Sequence, residues 1–151
     1  ITSLKNTRQQ AIVNGDAAYT VSIEMLVENY CASINKEKEL NASIKEMDDD
    51  MHTKGMIIRI GKLHKQREAI RDLVLSMQPK SNDDAIYQLI FSAHSVIEMF
   101  RSCKSDPEIL SDTQKIYDGL VSSCFHLDEQ VVKNFDLVCF LRDELISDCK
   151  Y

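Results

Sequence analysis

Glycine and proline are scarce in this chain, at four and two in 151 residues, and tryptophan is absent. So few breakers exclude a β-rich fold built on tight turns, and they exclude a disordered chain. No apolar run approaches the roughly 20 residues that cross a bilayer. No signal peptide or lipidation motif stands out either. The five cysteines (31, 103, 124, 139, 149) show no CxxC or CxxH spacing, and their number is odd. That pattern supports neither a zinc site nor a disulfide framework. Cys31 and Cys124 lie in apolar stretches, where a thiol acts as a small hydrophobe. The implied compartment is reducing and cytoplasmic. One feature opposes it, the glycosylation sequon Asn41–Ala42–Ser43, a tripeptide that chance supplies often.

Net charge is −6, so the molecule as a whole has no general attraction for nucleic acid or anionic lipid. Hydrophobic residues at 44% and charged residues at 28% describe an ordinary water-soluble domain. The expectation is one helical domain over residues 1–151. The start at Ile1 is read as the mark of a piece excised from a larger protein.

What the chain has is helical periodicity. A short helix is expected to close at Gly15, with Asp16 capping the next. Val21, Ile23, Met25, Leu26, Tyr30 and Ile34 form its apolar face, and Leu40, Ile44, Met47 and Met51 continue it at spacings of 4, 3 and 4. No breaker intervenes, so one long helix is expected over about 16–53. Beyond Gly55, a second stripe runs through Met56, Ile60, Leu63, Arg67, Ile70, Val74 and Met77 and ends before Pro79. Ser81 or Asn82 then caps a third helix, with Asp83 and Asp84 in its first turn, where the helix dipole favours acids. Asp106 before Pro107 marks a fourth start. Asp128 is the expected cap of the last helix, which holds Val132, Phe135, Val138, Leu141, Leu145 and Ile146. Short connections force neighbours to run antiparallel, so the fold class is all-α: an up-and-down bundle of four to five helices with a long first helix. The narrow seam of that helix's second half points to an end projecting beyond the bundle.

Chemistry is harder to find. "KEMDDDMHTKG", Lys45 to Gly55, gathers Glu46, Asp48, Asp49, Asp50 and His52, but a closed metal site needs three or four converging ligands. The run is read as a solvated acidic turn, either answering the basic helix that follows or beginning it. "GMIIRIGKL" (Gly55–Leu63) has the wrong spacing for a phosphate loop. The four histidines lie apart, and none stands beside a nucleophile. The reading is therefore a non-enzyme, with no cofactor and no metal.

One charge run stands out. From Lys54 to Arg71, six cations accompany only Glu68. Arg59, Lys62, Lys65, Arg67 and Arg71 are the candidate partner-binding residues. The competing reading pairs these cations with Asp48, Asp49 and Asp50. Arg67 breaks the apolar seam. It is expected to lie with its stem on apolar surface and its head in water, rather than to meet a buried carboxylate.

By elimination, the expected function is a non-catalytic interaction module, an adaptor or scaffold that binds a partner's helix or acidic segment. Homodimerisation is the first alternative, with Leu40, Ile44, Met47 and Met51 as seam. RNA or anionic lipid binding by residues 54–71 is another, weakened for RNA because no aromatic is interleaved to stack on bases. A secreted helical cytokine is the last; it needs long crossovers that the chain lacks.

Overall fold

The computed structural model describes residues 20–102, 106–125 and 129–147. It contains five helices: α1 Ile23–Glu46, α2 Asp50–Ser76, α3 Asn82–Ser102, α4 Pro107–Phe125 and α5 Phe135–Arg142, the last widening into a π-helical turn, Asp143–Ser147. The helices pack on one another and the described residues hold no strand, so the all-α bundle stands. The short helix expected to close at Gly15 lies outside the described residues.

Side-chain pairs give the directions. Glu37 of α1 meets His64 and Arg67 of α2, while Ser33 meets Arg67, so α1 and α2 are antiparallel. Arg71 meets Glu98, and Gln88 donates to the carbonyls of Val74 and Met77, which turns α3 back along α2. Glu24 with Asn134 and Lys38 with Glu144 set α5 parallel to α1. α4 packs mainly on α3.

The single helix expected over 16–53 is corrected at both ends. Residues 16–19 lie outside the described range, and α1 begins at Ile23 because the Ser22 side chain accepts from the Met25 N–H at 3.1 Å. At the other end Met47 is extended (φ −103°, ψ 131°), and Asp49 caps α2 by accepting from the Met51 N–H at 3.0 Å. The three aspartates therefore begin a helix, where its dipole favours them. Gly55, expected at a boundary, lies inside α2.

Ser81 and Asp106 cap α3 and α4 as the local signals imply, accepting from Asp84 and from Glu108 and Ile109. The last helix starts later than expected. Asp128 is outside the described residues, residues 129–131 form a turn, and Asn134 is the cap, accepting from the Leu137 N–H. The reason is a distant one: buried Asp83 accepts from the backbone N–H groups of Lys133 and Asn134, both at 2.7 Å, and holds them out of a helix.

The main core joins Val27, Tyr30 and Cys31 of α1 and Ile70 and Val74 of α2 to Tyr87, Ile90 and Phe91 of α3 and Val138 and Leu141 of α5. Tyr30 and Phe91 meet edge to face at 4.9 Å, a favoured aromatic geometry. The π turn brings Leu145 and Ile146 inward, and both are buried. In α2 only Ile70 and Val74 are buried. The Lys38–Glu144 and Arg71–Glu98 contacts lie near the ends of the π turn and of α3. Residues 50–60 of α2 run past that level, a projection of about 15 Å at 1.5 Å per residue. Among the described residues, the end of the α1–α2 hairpin thus stands clear of the bundle.

Asp83 ties the α3 start to the α5 start, so Asp83→Ala is expected to lower the unfolding free energy by about 2–3 kcal/mol. Exposed Asp112→Ala should change it by no more than about 0.5 kcal/mol. Urea denaturation of both variants checks this.

Candidate interaction surface

Two groups of polar side chains lie along α2, and the structure sorts the candidate cations between them. The first lines a cleft of about 420 Å³ between α1, α2, α3 and the π turn. Arg67, whose side chain is only 13% exposed, donates to Glu37 and, at 3.1 Å, to the Ser33 hydroxyl. The expectation of a head left in water is corrected: the guanidinium meets a half-buried carboxylate from α1. His64 shares that carboxylate at 2.7 Å. Arg71 is likewise engaged, with Glu98 at 3.1 Å.

The cleft tunes its titrating groups. Burial pushes the Glu37 carboxyl up, but hydrogen bonds from His64 and Arg67 and the Arg67 charge outweigh it, leaving the pKa below 4.5. Burial lowers His94 below 6.5; Glu98 opposes this, and Arg71 and Arg101 add to it. The His94 Nδ1 is buried without a partner among the described residues. Burial raises Tyr30, against the nearby arginine charges. Burial also pushes the Cys31 thiol up to about 12, which makes it a packing residue rather than a nucleophile.

The acidic run resolves into caps and solvent. Asp49 accepts from Met51 and meets the His52 Nδ1 at 2.6 Å, and that contact with His52 is the main reason its pKa falls below 3.8. Among the described residues no group of three or more His, Cys, Asp or Glu is placed to hold a metal. No ion pair there joins Asp48, Asp49 or Asp50 to the basic run of α2. Also among these residues, no helix is long and apolar enough to cross a membrane.

The second group is on the projecting end. At 100° per residue, Met56, Ile60, Leu63, Arg67, Ile70 and Val74 fall within an arc of about 80° that faces the bundle. Met51, Gly55, Ile58, Lys62, Lys65 and Ala69, spaced 4, 3, 4, 3 and 4, fall within another arc of about 80° on the far side. Met51 is 79% exposed and Ile58 61%. Lys54, Arg59, Lys62 and Lys65 are exposed, with no ion pair among the described residues. A shallow hollow of about 330 Å³, lined by Met51, His52, Gly55, Met56 and Arg59, opens beside this seam. His52, Gly55, Met56 and Arg59 stand at i, i+3, i+4 and i+7, the four-residue hole that receives a knob in helix packing. Gly55 makes the hole deeper, and a Cβ there would meet nothing within 4 Å. In a helix interior glycine costs about 0.8–1 kcal/mol relative to alanine, and no packing among the described residues requires it.

Of the seam read from sequence, Leu40 is buried and Ile44 half-buried, while Met47 and Met51 are exposed. Of the basic candidates, Arg67 and Arg71 are engaged inside the chain and Arg59, Lys62 and Lys65 face solvent. Gly55 and Ile58 were missing from the candidates, although the second 4-3 spacing is visible in the sequence. Ser33 and Glu37 carried no local signal.

No known family, curated protein or solved structure matches this chain.

Arg67→Ala is expected to cost about 1–3 kcal/mol by leaving Glu37 without its cation. Lys62→Ala should cost no more than about 0.5 kcal/mol. Chemical denaturation separates the two. Acid should destabilise the fold in two steps. His94 takes up its proton less readily folded than unfolded, so stability falls as pH drops below 6.5. Glu37 is held below 4.5, so its contribution persists above that value and is lost as pH falls through its folded pKa. Thermal melts against pH should lose the upper step in His94→Gln and the lower step in Glu37→Gln.

Proposed function

We propose that this chain is a non-catalytic helical interaction module that receives an acid-flanked amphipathic helix on the outer seam of α2. The observation that carries this reading is the exposed seam itself. Met51, Gly55 and Ile58 give it an apolar, small-residue half, and Lys62 and Lys65 give it a cationic half. Neither half serves the core formed by the described residues. A helix in the groove would seat an apolar side chain in the hollow over Gly55 and set carboxylates against the lysines. The titratable groups of the cleft support a structural part, since Arg67, Arg71, His64 and His94 each face a carboxylate.

Fluorescence anisotropy with a labelled helical peptide about three heptads long tests the reading. Leucines at 4-3 spacing with glutamate flanks should bind, and the same peptide with lysine flanks should not. Lys62→Glu with Lys65→Glu should weaken the acidic peptide about tenfold or more, with steep salt dependence. Equal binding of both peptides, or binding indifferent to the lysines, would contradict it. So would binding of RNA or phosphatidylserine vesicles at these lysines in place of the peptide.

A further inference from the structure

Resting on the reading of the outer seam as a helix-docking face, we infer that its occupant is a second copy of this chain, paired antiparallel, α2 against α2, at the hairpin tips. The order of charge along the tip carries the inference. Glu46, Asp48, Asp49 and Asp50 come first, and Lys54, Arg59, Lys62 and Lys65 follow. Glu46, Asp48 and Asp50 are exposed and have no ion pair among the described residues; Asp49 is held by its own His52. A parallel pair of such helices sets acid beside acid and base beside base. An antiparallel pair sets the acids of each against the lysines of the other, twice.

Shape agrees with charge. With a two-fold axis between positions 55 and 58, Ile58 of each copy seats over Gly55 of the other. In the same register Met51 lies along the stem of Lys62, and Asp48 comes level with Lys65. The exposed Ile58 gains a hole and the unexplained Gly55 gains a neighbour. Close approach of two backbones is what the missing side chain allows. Because Met51, Gly55, Ile58 and Lys62 find their complements among themselves, no other molecule is needed to fill this part of the seam.

A contact of a few turns is smaller than the roughly 800 Å² per partner of a standard interface. The dimer is accordingly expected at a dissociation constant on the order of 10–100 µM at low salt. Sedimentation equilibrium on the full chain with reductant, from about 5 to about 500 µM, reads it directly. The constant should weaken about tenfold or more between about 20 mM and about 500 mM salt. Lys62→Glu with Lys65→Glu, and separately Asp48→Lys with Asp50→Lys, should each be monomeric. An equimolar mixture of the two variants should dimerise, because every end-to-end charge pair is then restored with its sign swapped on one side. Gly55→Ala should raise the melting temperature of the dilute monomer while weakening the dimer about tenfold. Circular dichroism confirms that each variant keeps its helix content.

A wild-type chain that stays monomeric to the highest concentration would overturn the inference. A dimer insensitive to both charge reversals, or a mixture that fails to associate, would do the same. A monomeric chain that still binds the acid-flanked peptide removes the second copy and leaves the docking face standing. A dimer with these charge dependences that ignores the peptide supports the second copy and confines the face to it.

Discussion

The pairing of Arg67 with Glu37 is the constraint on which the rest of this architecture depends. An arginine in an apolar seam is satisfied in one register only, the one that brings Glu37 and Ser33 opposite its guanidinium. Two apolar seams can slide by a heptad at modest cost, but a half-buried cation moved off its carboxylate leaves both groups unpaired. The register of α1 on α2 then follows. The stripe of Met56, Ile60, Leu63, Arg67, Ile70 and Val74 then faces the bundle, and the second seam of α2 faces away from it.

That division explains the two characters of α2. Its last turns, from Arg67 onward, belong to the bundle: Ile70 and Val74 are buried, and Arg71 reaches Glu98. Among the described residues, its first turns have only α1 to lean on and carry two glycines, Gly55 and Gly61, at which a Cβ would meet nothing within 4 Å. Such a segment has low local stability because little apolar surface is buried there. On the proposed reading, a docking partner would add burial there.

The helices were legible wherever the signals were local. Pro79, the Ser81 cap and the Asp106–Pro107 pair mark helix ends within a few residues of the groups they bond, and all three agree with the structure. The chain reversal at residues 47–49 was not legible, because the 4-3-4 spacing of Leu40, Ile44, Met47 and Met51 runs through it unbroken. The acids admitted two readings, and only the Asp49 cap decides between them. The late start of α5 depends on Asp83, some 50 residues earlier, and the partner of Arg67 lies 30 residues earlier. No local pattern encodes either contact. At 100° per residue, the six cations of the basic run scatter around most of the helix. Sorting it required knowing which side faces α1, and with that known Lys62 and Lys65 join Met51, Gly55 and Ile58.

The most direct test of the outer seam is to map, residue by residue, where the molecule changes as it is concentrated. Backbone amide spectra of the labelled chain, recorded from dilute to concentrated solution at low salt, give that map. The account predicts concentration-dependent shifts confined to the hairpin tip, centred on Met51, Gly55, Ile58 and Lys62, and abolished by high salt. Shifts centred instead on the exposed Ile109 and Ile116 of α4, or no shifts anywhere, would contradict it.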